Sequence, residues 1–95
     1  MNYQRGPVYV MPVIDPKTVL WKELNGKVVV LMMESGSFCE LNGMGSHIWR
    51  LLAQGMDNEQ ILAELHAAYE VSQEQLVQDV DAFITSMVKQ GMLVA

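Results

Sequence analysis

The sequence predicts an α+β fold, a three-stranded antiparallel meander followed by three helices in a winged-helix-like order. Three observations lead there. Apolar and β-branched runs gather before residue 42, with an Asn25-Gly26 pair between the first two. Beyond it, apolar residues recur at helical spacing. Asn42, Asp57 and Ser72 each stand just ahead of such a stretch, where a side-chain oxygen can accept from the free N–H groups of a helix start.

Residues 1–17 hold all three prolines, Pro7, Pro12 and Pro16. Proline removes a backbone donor and disfavours helix. This stretch therefore reads as an extended arm, with a short strand around 8–11, laid over the edge of the first strand of a domain at 18–95. TVLWKEL (18–24) and KVVVLMM (27–33) flank Asn25-Gly26. Both central residues of a type I′ turn need positive φ, which Asn and Gly tolerate, so a tight hairpin is expected. Glu34, Ser35 and Gly36 form a second turn, and SFCEL (37–41) is the third strand.

Helix 1 is expected over 44–54, with Met44, Ile48, Leu51 and Leu52 on one face and Gly55 just past its end. Asp57 opens helix 2 over 58–69, and Gln60 is placed to close a reciprocal cap. Ile61, Leu62, Leu65 and Tyr69 form its stripe. Ser72, with Gln75 as its reciprocal partner, opens helix 3 over 73–90; Gly91 ends it and MLVA forms a short extended tail. Helix 3 has two adjacent apolar rows, Leu76, Val80, Phe83 and Met87 beside Val77, Ile84 and Val88. That face is wider than one core contact needs. One row is expected on helices 1 and 2, the other toward the sheet or a groove beside it.

A chain of 95 residues is one domain, and half of it is apolar, enough for a packed core. Six Lys and Arg against eleven Asp and Glu give a formal charge of −5. Nucleic-acid phosphates call for a basic patch, so that partner class is disfavoured. The winged-helix order itself suggests, as the alternative, a DNA-binding or structural interaction domain. A recognition helix, however, needs Arg, Lys, Asn or Gln toward base edges, and Lys89 is the lone basic residue of helix 3. No run approaches the roughly 18 apolar residues of a membrane span, and the start lacks the pattern of a secretory signal. A single cysteine fits a reducing cytoplasm.

No catalytic constellation emerges, and no cofactor is implied. A thiol enzyme would need an activated Cys39, but its neighbours Phe38 and Glu40 supply no base, and a carboxylate raises a thiol's pKa. Cys39 is expected to be structural or to line a groove. His47 and His66 match no zinc spacing with Cys39 and read as helix-surface residues. Asp79 and Asp81, two apart on a helix, point to different sides and cannot act as a paired acid and base. A charged face near the groove is expected instead, to which Glu40 adds and which can orient a basic partner. GMGSH lacks the length and lysine of a phosphate loop.

The third strand bears Glu40 but neither proline nor lysine, the usual protection of a sheet edge. An open edge beside an apolar helix is the setting for strand addition by a peptide. The same edge could pair with a second copy, giving a homodimer.

An ordered set of residues adds to this reading. Leu41-Asn42 precedes helix 1, Ile48-Trp49 and Leu51-Leu52 lie within it, and Gly55 follows. Ile61, Leu65, Tyr69 and Val71 come next, then Asp79-Val80 and Phe83, with Gly91 and Leu93 at the end. Over about residues 18–94 the chain thereby resembles the PqqD-like proteins, peptide-recognition domains of pathways that modify ribosomally made peptides. The resemblance implies three strands and three helices, no catalysis, and capture of a precursor's leader as an added strand on the third strand, in the cleft beside helix 3. It also implies presentation of that precursor to a modifying enzyme, such as a radical SAM enzyme, or to the leader protease of a lasso peptide pathway. Carried over, the ligand-facing positions are Ser37, Phe38, Cys39, Glu40 and Leu41, with Leu76, Val80, Phe83 and Met87 on helix 3. The proline-bearing arm is longer than in the shortest members. Methionine is frequent (Met32, Met33, Met44, Met87), which suits an adaptable groove. Tyr9, Pro12 and Ile14 loosely resemble the Tyr-x-x-Pro-x-Leu pattern of lasso leaders, so the arm has a second conceivable role, inside its own or a neighbour's groove.

Overall fold

The structure, a computed structural model, describes residues 11–95. β1 (Val19–Leu24), β2 (Lys27–Met32) and β3 (Phe38–Glu40) are followed by α1 (Gly43–Ala53), α2 (Asn58–Ala68) and α3 (Gln73–Lys89). The sheet is antiparallel in the order β1-β2-β3. Asn25 and Gly26 both take positive φ, 54° and 79°, and close the hairpin in register from Leu24–Lys27 to Val19–Met32. Alternation then sorts the faces: Val28 and Val30 point into the core, while Leu20, Leu31 and Phe38 line up across the outer face.

The three expected caps form. Asn42 Oδ1 accepts from Gly45 N at 2.7 Å. Asp57 and Gln60 exchange both bonds of a capping box. Ser72 Oγ accepts from Gln75 N at 3.1 Å. The reciprocal half of that last cap is absent, because the Gln75 side chain instead donates to Asp79 Oδ1 at 2.8 Å.

The core has two parts. Val19, Val28, Val30, Leu41, Trp49 and Met87 fill the space under the sheet with Met92 and Leu93. Ile48, Ile61, Leu65, Leu76, Val80 and Ile84 join the helices. Phe83 and Leu52 touch both. Burial on this scale, about 1.5–3 kcal/mol per large apolar side chain, is what holds a domain of this size together.

Residues 11–17 of the arm are described. Val8 to Val10 and Tyr9 lie outside the described residues. Beyond them, Val13 exchanges two backbone bonds with Val94, at 2.8 and 2.9 Å, so the described part of the arm pairs with the C-terminal tail. Pro12 is buried and Ile14 packs on the sheet-side core. Asp15 then accepts from Lys17 N and Thr18 Oγ1 and turns the chain into β1. The tail is no mere extension, since Met92 and Leu93 are buried.

Two long-range contacts lock the sheet to α1. Arg50 Nε and Nη2 each donate to Glu23 at 2.7 Å, and Nη2 also donates to Gly26 O at 3.0 Å, clasping the hairpin tip. The hydrogen bond from Arg50 holds the Glu23 carboxyl below its usual range and raises Arg50. Ser46 is buried between β2 and the end of β3: its Oγ accepts from Val28 N at 2.9 Å and donates to Leu41 O at 3.1 Å.

Candidate functional site

β3 pairs only with β2 among the described residues, so its other edge is open. The phase of the ladder decides which groups face outward. Met32 N donates to Ser37 O and Leu41 N to Val28 O. Ser37, Cys39 and Leu41 therefore spend their backbone groups on β2. Phe38 and Glu40, at the non-hydrogen-bonded positions, turn their N–H and C=O outward. That makes two donors and two acceptors available to an added strand. The side chains alternate as well: Phe38 is 72% exposed, Cys39 is half-buried against the core and Leu41 is buried.

Where β3 ends, a cleft of about 490 Å³ opens between the start of α1 and α3. Asn42, Met44, Gly45 and Ile48 form one side, and Asp79, Ala82, Phe83, Ser86 and Met87 the other. Phe83 and Met87 of the expected helix 3 row thus line it. Leu76 and Val80 do not: they are 0% and 2% exposed and pack in the helical core behind it. The helix turns by about 100° per residue, so the face next to the buried stripe carries Asp79, Ala82 and Ser86. These three residues escaped the apolar pattern because they are polar or small. Of the second row, Ile84 is buried, Val88 half-buried and Val77 46% exposed beside a shallow groove with Leu62 of α2.

Asp79 lines the cleft and Asp81 the α2–α3 groove, the separation that their spacing requires. Glu40 is exposed at the strand edge. His47 is half-buried, its Nδ1 3.3 Å from the Tyr69 hydroxyl, while His66 is exposed. Among the described residues no three His, Cys, Asp or Glu side chains converge as metal ligands, and no helix is long and apolar enough to cross a membrane.

The model of the family coenzyme PQQ synthesis protein D (PqqD) matches residues 27–93. The chain belongs to the PqqD family. Two solved structures share the fold of this PqqD-family protein. One, TbiB1 in complex with the TbiA(beta) leader peptide, is 27% identical with a TM-score of 0.81, over 85% of this chain and 93% of that one. The other, lasso peptide synthetase B1 complexed with the leader peptide, is 23% identical with a TM-score of 0.83, over 90% and 100%. At that identity the second speaks for the fold alone. No curated protein matches the chain.

Proposed function

We propose that this protein is a non-catalytic adaptor. It captures the leader of a ribosomally made precursor peptide as a strand added to the outer edge of β3, with leader side chains entering the cleft beside α3. It then presents the precursor to a modifying enzyme or a leader protease. The observation that carries this reading is the open β3 edge, running straight into an apolar cleft, in a PqqD-family fold similar to TbiB1 with its leader peptide. Phe38 and Glu40 supply the backbone bonds. Ser37, Cys39 and Leu41 hold the edge in place. Phe83 and Met87 receive side chains, Asp79 receives a basic group, and Leu76 and Val80 support the wall from behind.

Magnitudes decide how affinity divides. Four backbone bonds contribute about 0.5–1.5 kcal/mol each, and ordering a flexible peptide costs about 2–5 kcal/mol. The two nearly cancel. Side chains buried in the cleft, at about 1.5–3 kcal/mol each, must supply the net affinity.

The ladder phase selects the test. Cys39→Pro would break the β2–β3 ladder itself. Phe38→Pro removes an outward donor and leaves the internal ladder intact, which edge strands tolerate. With Phe38→Ala as the control for the side chain, Phe38→Pro is expected to keep its melting temperature and to weaken leader binding about tenfold or more. Titration of synthetic leader peptides of lasso peptide precursors, followed by amide shifts at 37–41 and 79–87, reads both. Unchanged binding by a folded Phe38→Pro would rule out strand addition.

A further inference from the structure

We propose that Gly45 determines which leader side chain the cleft accepts, acting through Phe83; this rests on the leader-binding reading above. Gly45 is the third residue of α1 after the Asn42 cap and is buried. Glycine in a helix is unfavourable relative to alanine, so its place calls for a local reason. A Cβ at Gly45 would stand 3.0 Å from Phe83 Cε1 and 3.4 Å from Cδ1. Its lack of a side chain is what lets one edge of the phenyl ring lie against the helix. Gly43, two residues earlier, has no such neighbour within 4 Å. The close approach thus belongs to Gly45 and not to the glycine-rich turn in general.

Phe83 is the hinge of the site. It touches both parts of the core and also lines the cleft. Behind it the helical core is filled by Ile48, Val80 and Leu76, all essentially unexposed. A ring displaced from Gly45 cannot retreat into that packing and moves toward the open side. The cleft then loses depth where Met44, Ile48 and Met87 surround it. With glycine at 45 the cleft takes a large apolar side chain, aliphatic or aromatic, from the bound strand. With alanine there the ring gives by a few tenths of an ångström, and the cleft takes a smaller one.

The experiment selects peptides from a random library displayed on phage against wild type, Gly45→Ala and Gly43→Ala. Wild type and Gly43→Ala are expected to enrich Leu, Met, Phe or Tyr at one anchor position. Gly45→Ala should shift that position from aromatic toward smaller aliphatic residues such as Val and bind the wild-type peptide more weakly, by about threefold or more. The methyl also comes within 3.2 Å of Asn42 Oδ1, so a disturbed cap must be told from a moved ring. In a Phe83→Leu background, Gly45→Ala should change affinity by less than about twofold, because the group it displaces is gone. An unchanged anchor in Gly45→Ala, or an equal loss with and without Phe83, overturns the proposal. If Gly45→Ala does not fold, Phe83→Ala tests the same cleft from the other side: enrichment of still larger anchors supports the inference, and an unaltered profile overturns it. A library from which wild type enriches nothing removes the leader-binding reading, and this inference with it.

Discussion

The Ser46 hydroxyl occupies a position where β2 and β3 fail to meet. Leu41 N still donates to Val28 O at 2.9 Å, but the return bond is relayed: Val28 N donates to Ser46 Oγ, which donates to Leu41 O. β3 can therefore bend away into α1 without leaving a buried amide unpaired. Ser46→Ala removes both bonds of a fully buried group, and should cost about 1–3 kcal/mol, measured as a lower urea midpoint with an unchanged slope. A loss below a few tenths of a kcal/mol would mean that water replaces the hydroxyl. The same reasoning reassigns Val80. At 2% exposure it sits in the helical core, so Val80→Asp would bury an unpaired charge and unfold the domain before it tested a ligand site. Asp79, one residue earlier, is the informative position. Ser46 was not legible in the sequence, since a serine in the first turn of a helix ordinarily faces water or caps.

At the scale of elements, what was legible is what short-range chemistry decides. Asn25-Gly26 closed the hairpin with both φ values positive, and Asn42, Asp57 and Ser72 began their helices. Periodicity marked α3 as apolar on one side but not which neighbour each row meets, because that depends on where α1 and the sheet lie. Phe83 consequently kept its expected place while Leu76 and Val80 went inside. The Glu23–Arg50 clasp spans 27 residues and left no local trace. It yields a pH dependence. Glu23 titrates below its ordinary value of 4.5 when folded, because of the hydrogen bond from Arg50. A carboxyl with a depressed folded pKa contributes stability that is fully present above its unfolded pKa and is lost as pH falls through the folded one. Wild type should thus melt above Glu23→Gln at neutral pH, and the gap should close as pH falls below 4.5 and through the depressed folded value. Both side chains are partly exposed, so the gap is also expected to shrink at high salt. A gap that persists undiminished at acid pH would assign the effect to packing.

Across the whole molecule the charge is divided unevenly. Residues 41–95 carry seven carboxylates against Arg50 and Lys89, which accounts for the entire formal charge of −5, while residues 1–40 are balanced. The sheet, at 19–40, carries Lys22 and Lys27 against Glu23, Glu34 and Glu40, while the helices hold the acidic part, so the strand edge and its cleft lie on the boundary between them. On the proposed strand addition, a leader arriving at β3 meets a backbone template with little field of its own, and beside it the negative potential of the helices, with Asp79 lining the cleft. This arrangement favours a leader carrying Lys or Arg near its apolar anchors, and it acts mainly on the encounter. Charges spread over a surface steer association and are screened beyond about 10 Å at 0.1 M salt, whereas the buried anchors govern release. Stopped-flow measurements with a basic leader should therefore show an association rate that falls steeply with added salt and a dissociation rate that barely moves. Asp79→Asn should lower the association rate at low salt and leave it unchanged at high salt. Replacing the leader's basic residues by Gln should flatten the salt dependence in the same way. An association rate indifferent to salt for a basic leader would mean that the acidic half serves solubility alone, and that recognition resides entirely in the open rung and the cleft.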